Sequence, residues 1–361
     1  MPAYKDEKRK TWYAHFGYTD WTGEQKQVTK RGFSTKREAL QYERDFLLQK
    51  SGSVDMTFRD FVQVYLQNRT PRLKESTSLM KENVIETKIL PYFGERKLRD
   101  ITSADVMQWQ NTMLRHTNPT TGKHYSKSYL KTLHNQLSAI FNHAVKFYGL
   151  KENPARVVGN MGSDKDTEMK FWTKEEYLRF AEEMMDDPQA YYCFETLYWS
   201  GIRLGELLAL TLEDLNLRKK TLSITKTYQR IRGKEIITDP KTPKSKRVVK
   251  LPGFLCDELA DYIKMQYDIQ PEDRLFPVTK SYLHHKIRTG CEKLGVEKIR
   301  IHDLRHSHVS LLISQGYGAV AIADRVGHES IDITYRYAHL FPSTQDAMAD
   351  TLDQVREEEN C

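Results

Sequence analysis

The sequence predicts a multidomain, mainly α protein with small β-sheets: a small β-sheet plus helix over residues 1–52, a helical domain over 55–155, and a mixed α+β domain over 168–361. Three observations predict it. At 361 residues the chain is long enough to bury two or three cores. Its apolar pattern changes along its length, from short aromatic runs to long helical stripes and then to helices mixed with β-like runs. Two polar joints, Gln49 to Ser53 and Gly159 to Lys170, fall where the pattern changes.

In the first stretch, Trp12 to Tyr18 and Gln25 to Arg31 are aromatic or β-branched runs separated by the turn-like Asp20-Trp21-Thr22-Gly23, which predicts a hairpin or small sheet. Thr35 and Glu38 form a capping box ahead of Ala39, Tyr42, Phe46 and Leu47 at helical spacing. Four helices follow. Phe58, Phe61, Val62, Tyr65 and Leu66 form the first stripe; Leu79, Asn83, Val84, Thr87 and Leu90 form the second, which Pro91 and Gly94 close. Thr102 and Asp105 open the third, through Val106, Trp109 and Met113, and the fourth carries Leu130, Leu133, Leu137, Ile140, Phe141 and Val145. After Asn153-Pro154 and the second joint, Thr173 and Glu176 cap another helix, and Thr221 to Thr227 and Arg247 to Leu251 read as strands.

Lys and Arg outnumber Asp and Glu by 56 to 49, a net charge of +7, which suits a polyanionic partner. Lys8, Arg9, Lys10, Lys30, Arg31 and Lys36 crowd the first unit. Lys123, Lys127 and Lys131 interleave with His124, Tyr125 and Tyr129 at the entry of the fourth helix, as a surface tracking a nucleic-acid backbone would require; a solvated basic face is the alternative. The four cysteines stand far apart and suggest neither a zinc cage nor a disulfide framework. The polar N-terminus and the lack of any apolar run near the ~20 residues needed to span a bilayer predict a cytoplasmic protein with no membrane partner. No Gly-rich phosphate loop points to ATP, and no cofactor or metal is expected.

Three basic clusters in the last predicted domain carry the chemistry. In Ser200-Gly201-Ile202-Arg203-Leu204-Gly205-Glu206-Leu207, an arginine set in apolar surroundings needs a counter-charge: Glu206, three residues on, or an external anion. In His302-Asp303-Leu304-Arg305-His306-Ser307-His308, neighbouring apolar residues bury the segment, so the Arg305 fork is best met by a phosphate or carboxylate. The third runs from Val326-Gly327-His328 to Tyr337-Ala338-His339, where a histidine precedes a tyrosine by nine positions.

Taken together and in this order, G-I-R-L-G-E-L, H-D-L-R-H and V-G-H followed by Y-A-H-L resemble the signature boxes of the tyrosine recombinase family, specifically phage-type integrases. The resemblance extends to the layout: a small arm-type DNA-binding module, a helical core-binding domain and a catalytic domain. It implies that Arg203 and Arg305 are the catalytic arginines, with His302 and His328 beside them and Tyr337 as nucleophile. The lysine of a β-hairpin is assigned to Lys241 within Thr238 to Arg247, with Lys244 and Lys246 close by. Glu206 takes a supporting, orienting place. The resemblance further implies double-stranded DNA with arm-type and core-type sites, a homotetramer, and a host bending protein and an excision factor as partners.

That residue set matches phosphodiester chemistry. Two guanidinium forks can hold the charge gathering on non-bridging oxygens. A phenol of pKa about 10 needs a base, for which His302 is the expectation, and a lysine can protonate the leaving 5′ oxygen. A 3′-phosphotyrosyl link conserves the bond energy for rejoining. Tyr335 is the rival nucleophile, but two residues along a helix turn the side chain by about 200°, so only one of the pair can face the arginines. Two alternatives stay open: a chromosome-dimer resolvase of the same family and an inactive DNA-binding regulator. The tail through Ala347, Met348, Leu352 and Val355 to Glu357-Glu358-Glu359 is expected to pack on a neighbouring protomer or to dock on its own domain.

Overall fold

Within the first fifty residues lies an antiparallel sheet, β1 (Ala3–Asp6), β2 (Thr11–Thr19) and β3 (Gln25–Phe33), in the order β1-β2-β3, with Ala14 and Phe16 of β2 turned inward. The computed structural model describes residues 3–6, 9–19, 25–51, 54–163, 169–240, 242–335 and 337. They fall into two units, residues 1–167 and 168–361. Two strands were expected; β1 is the third, and its four residues are too few to show a period in the sequence. Ala14 and Phe16 of β2 pack against Ala39 of α1 (Lys36–Ser51). The predicted capping box closes that helix: Glu38 N–H donates to Thr35 Oγ1 at 3.2 Å, while Ser34 N–H donates to Glu38 Oε2 at 2.9 Å.

The register separates two of the predicted basic residues. Lys30 pairs with Ala14 and Arg31 with Tyr13, so the two project from opposite faces of the sheet. Arg31 stacks over the Tyr13 ring at 5.6 Å, and Lys36 lies 5.8 Å from the Trp12 ring centre.

The helices that follow in the first unit are α2 (Phe58–Arg69), α3 (Glu75–Val84), α4 (Leu90–Phe93), α5 (Ser103–Arg115), α6 (Lys127–Phe147) and α7 (Pro154–Val158). Phe58, Phe61, Trp109, Leu137 and Phe141 centre a core distinct from the cluster around Ala14. Two expectations are corrected. Pro91 does not end the second helix: a wide π-turn, Ile85–Ile89, links α3 to α4, and Pro91 sits in the first turn of α4, where its missing N–H is not needed. Val145 is exposed and Ala144 takes the buried place on the α6 stripe. Trp109 Nε1 donates to the Lys88 carbonyl at 2.9 Å, fastening α5 to the π-turn.

The second unit contains α8 (Lys174–Met184), α9 (Pro188–Ser200), α10 (Leu204–Leu207), β4 (Leu215–Asn216), β5 (Thr221–Ile224), β6 (Thr227–Ile231), β7 (Lys234–Thr238), β8 (Arg247–Lys250), α11 (Gly253–Met265), α12 (Lys280–Leu294), α13 (Asp303–Ser314), α14 (Ala319–Val326) and α15 (Asp332–Tyr335). Strands β4, β5 and β8 form one antiparallel sheet, and β6 with β7 forms a hairpin closed at Arg232-Gly233, both with positive φ (50° and 81°), which suits a two-residue primed turn. The Thr238 to Arg247 segment, matched in the sequence to a hairpin, is therefore the connection from β7 to β8. The acidic tail lies outside the described residues. No described helix is long and apolar enough to cross a membrane.

Trp109 is fully buried and tied to Lys88, so Trp109→Ala is expected to lower the unfolding free energy by about 3–5 kcal/mol, measured by urea denaturation.

Candidate active site

Helix α9 ends at Gly201, whose φ of 68° lies in the left-handed region, and a Cβ there would sit 2.4 Å from the His308 ring. Both constraints require glycine. The turn aims the Gly201 carbonyl at Arg305, whose Nη1 donates to it at 2.8 Å. Two residues later Arg203 stands at the N-terminus of α10. The Glu206 carboxylate accepts from Arg203 N–H at 3.0 Å and from Arg203 Nη1 at 2.8 Å. From the other side it accepts from Arg247 Nη2 at 2.9 Å and Nη1 at 3.3 Å. Arg203 Nη2 also donates to the Gly327 carbonyl at 3.1 Å, and Arg247 Nε to that of Arg325 at 3.1 Å, which ties the His328 loop to the same cluster.

The charges do not balance within the cluster. Arg305 is 3% exposed, and its Nη2 has no hydrogen-bond partner. Burial, followed by the charges of Arg203 and Arg247, pushes it down from 12.5 to about 9. A guanidinium keeps its proton near neutrality, so this pressure is best relieved by a bound anion. Arg203 does pair with Glu206, as the simpler reading of its box required, and Arg305 faces no carboxylate in that pairing.

The histidines and the tyrosine gather around α13. His302 is exposed at the start of the helix, and its ring meets that of His306 edge-on at 5.2 Å. Loss of solvation, then Arg305, lowers the His302 pKa. His306 Nδ1 is hydrogen-bonded to the Tyr337 hydroxyl, and its Nε2 lies 3.8 Å from Asp303 Oδ1. Burial, then His302, brings His306 down to about 4. His328 Nδ1 is 2.8 Å from Thr334 Oγ1, and burial, then Arg305 and Arg203, brings it down to about 3. Both rings are therefore neutral at pH 7.

Tyr337 is 1% exposed and packs among Val309, Ile313, Ile322 and Val326, whereas Tyr335 is 54% exposed. Tyr335 is the last residue of α15 and Tyr337 lies beyond it in a turn, so the helical rotation expected for the pair does not apply, although only Tyr337 is buried.

The structure thus brings together Arg203, Glu206, His302, Arg305, His328 and Tyr337 from the three sequence clusters. Lys241 and Lys8 lie outside the described residues. Of the rival lysines, Lys244 Nζ donates to the Glu329 carbonyl at 3.2 Å, beside His328, and Lys246 pairs with Asp239 at 2.8 Å. Arg9, Lys10, Lys30, Arg31, Lys36, Lys123, Lys127 and Lys131 all belong to the first unit; Lys127 and Lys131 stand one turn apart on α6, and Lys123 lies in the turn before it. Two contributors were not singled out from the sequence. The sequence places Arg247 at the start of a strand without a partner, and names His306 only as part of the His302 to His308 motif.

Comparison with known proteins gives the same layout. The phage integrase family model matches residues 170–344, the phage integrase N-terminal SAM-like domain matches 57–114, and an arm DNA-binding domain matches 2–50. The ICEBs1 integrase of Bacillus subtilis (strain 168) is 30% identical, covering 94% of this chain and 95% of that protein. The chain belongs to the phage integrase family. As a member of it, the protein is a tyrosine site-specific recombinase. The fold agrees: the Tn1549 transposon integrase in complex with transposon right end DNA superposes with a TM-score of 0.67 at 18% identity, covering 83% of this chain and 100% of that one. A lambda integrase tetramer bound to a Holliday junction gives 0.57 at 16% identity, covering 91% and 96%.

The Glu206 pairing has a pH signature. Burial alone would raise this carboxyl, but the Arg247 hydrogen bond and charge, with Arg203, outweigh it and hold the pKa below 4.5. A depressed folded-state pKa gives stability that is present above about pH 4.5 and lost as pH falls through the folded value. Urea unfolding between pH 3 and pH 7 should show this acid loss in the wild type and a smaller one in Glu206→Gln. At pH 7 the variant should be less stable by about 3 kcal/mol, because the buried Arg247 and the half-buried Arg203 lose their counter-charge.

Proposed function

We propose that this integrase cuts double-stranded DNA at a specific site by attack of the Tyr337 hydroxyl on a phosphodiester, holds the strand as a 3′-phosphotyrosyl link, and rejoins it to a second site to integrate a phage or other mobile element. The observation that carries this reading is the buried Arg305 with one unpartnered nitrogen, set beside Arg203 and a buried tyrosine. A phosphate is an anion of the right geometry for such forks.

In this reading Arg203 and Arg305 hold the non-bridging oxygens. His328, its Nδ1 engaged by Thr334, offers Nε2–H to the phosphate. The phenol proton passes to a histidine of the α13 motif, for which His302 is the sequence-based expectation. Lys241 protonates the 5′ oxygen, and Glu206 fixes the arginines without touching DNA. The N-terminal sheet, with Arg9, Lys10, Arg31 and Lys36, takes arm-type DNA, and Lys123, Lys127 and Lys131 grip the core-type site. The arm-type module favours an integrase over a chromosome-dimer resolvase. A tetramer on two sites, assisted by a host bending protein and an excision factor, is the assembly this chemistry calls for.

Trapping on a nicked attachment site tests the nucleophile. Tyr337→Phe is expected to form no covalent adduct, while Tyr335→Phe forms it at a rate close to wild type. Adduct formation by Tyr337→Phe, with loss in Tyr335→Phe, would reverse the assignment. A two-site recombination assay, run alongside, should yield recombinant product with wild-type protein only when both attachment sites are present.

A further inference from the structure

Resting on the recombinase reading above, we propose that His306 is the general base for Tyr337 and that Asp303 is its positioning partner. The geometry is direct. His306 Nδ1 is hydrogen-bonded to the hydroxyl that must lose its proton, whereas the His302 ring stands at the exposed start of α13, edge-on to His306 at 5.2 Å.

Asp303 Oδ1 lies 3.8 Å from His306 Nε2, too far for a hydrogen bond but close enough to pair with the ring once it is protonated. The proposed transfer uses the tautomer with its proton at Nε2, which leaves the Nδ1 lone pair facing the phenol O–H. Asp303 is buried and held by Arg300, whose Nε donates to both carboxylate oxygens at 3.1 and 3.0 Å and whose backbone N–H donates at 2.9 Å. A carboxylate fixed in this way positions the ring through charge, steadying the imidazolium once it forms.

The ring is neutral before the reaction, with burial the main cause. The groups that act on it are His302, Asp303, Arg300 and Arg305 on or before α13, Tyr337 opposite, and His328 from the facing loop. A phosphate bound between Arg203 and Arg305 offsets part of this positive field and makes the ring a better proton acceptor as the substrate arrives.

The phenol proton moves to His306 Nδ1, and the oxygen pair it leaves forms the O–P bond. The P–O5′ bond breaks with its electron pair on the 5′ oxygen, which takes a proton from the general acid or from water. In rejoining, the His306 imidazolium returns its proton to the departing Tyr337 oxygen.

The test uses the full-length protein and a nicked duplex bearing the attachment site recovered from DNA flanking the gene, following the rate of covalent adduct formation from pH 5 to pH 10. Wild type should be flat around neutrality and fall in acid as the ring takes a proton. His306→Ala should be about 10²- to 10⁴-fold slower at pH 7. Its rate should rise about tenfold per pH unit towards the phenol pKa near 10, with recovery on adding imidazole. His306→Gln, which can hold the hydroxyl but cannot accept its proton, should stay slow. A wild-type rate in His306→Gln would reduce the ring to a holder, and a faster His306→Ala would make the contact a latch; either overturns the proposal. Imidazole-rescued, pH-dependent loss in His302→Ala but not in His306→Ala would transfer the role to His302. If the His306 variants do not fold, wild type with a fluorinated tyrosine at position 337 carries the test. A rate at pH 7 that rises in proportion to the added phenolate would mean that no base acts and would overturn the proposal; a much weaker response is expected. No adduct from wild type on the site, at any pH, would instead overturn the recombinase reading and this inference with it.

Discussion

The site is organised by one buried carboxylate among three guanidinium groups. Glu206, 2% exposed, lies between Arg203 and Arg247 and accepts hydrogen bonds from both. Removing charges from water is costly unless the lone pairs and protons are matched, and here two of the three cations find their match in Glu206 and in backbone carbonyls. The same bonds draw distant segments together: α10 carries Arg203 and Glu206, β8 carries Arg247, and the carbonyls of Arg325 and Gly327 belong to the end of α14. Arg305, held by the Gly201 carbonyl, is the cation left with an unmatched nitrogen. The fold thus gathers a cluster of surplus positive charge and ties its segments together.

Most of the architecture could be read in the sequence because its elements are marked locally. The capping boxes at Thr102 and Thr173 and the one at Thr35 start helices where expected, since a side chain and a backbone N–H three residues apart satisfy each other without tertiary help. The features that were misread depend on tertiary context. Pro91 is tolerated because a π-turn shifts the helix register just before it. The β6–β7 hairpin was missed because Arg232 takes a positive φ that its residue type does not advertise.

The site divides in the same way. Arg203, Arg305, His328 and Tyr337 were legible because the order of the three boxes matches a known family, and no single box would have been enough. Arg247 was not legible: its role depends on strand β8 delivering it to Glu206, 41 residues away in the chain. His306 was hidden for another reason. In the motif it stands beside Arg305 with nothing to mark a partner, and only the placement of the Tyr337 hydroxyl against Nδ1 gives it one.

These charges act on one another across the site. The neutral state of His306 and His328 follows from burial reinforced by the surrounding positive charge, and the same charge leaves Arg305 short of a counter-ion. In the proposed reaction a single phosphate answers all three: it pairs with the unmatched Arg305 nitrogen, meets the free ring nitrogen of His328, and eases the field that keeps the histidine beside Tyr337 a weak base. Free in solution, the buried hydroxyl faces a ring poorly disposed to take its proton; on DNA the substrate itself supplies the charge that makes the transfer favourable. In the proposal reactivity is thereby coupled to occupancy, since Arg305, one of the two guanidinium groups that would bind the phosphate, is also among the charges that depress the base.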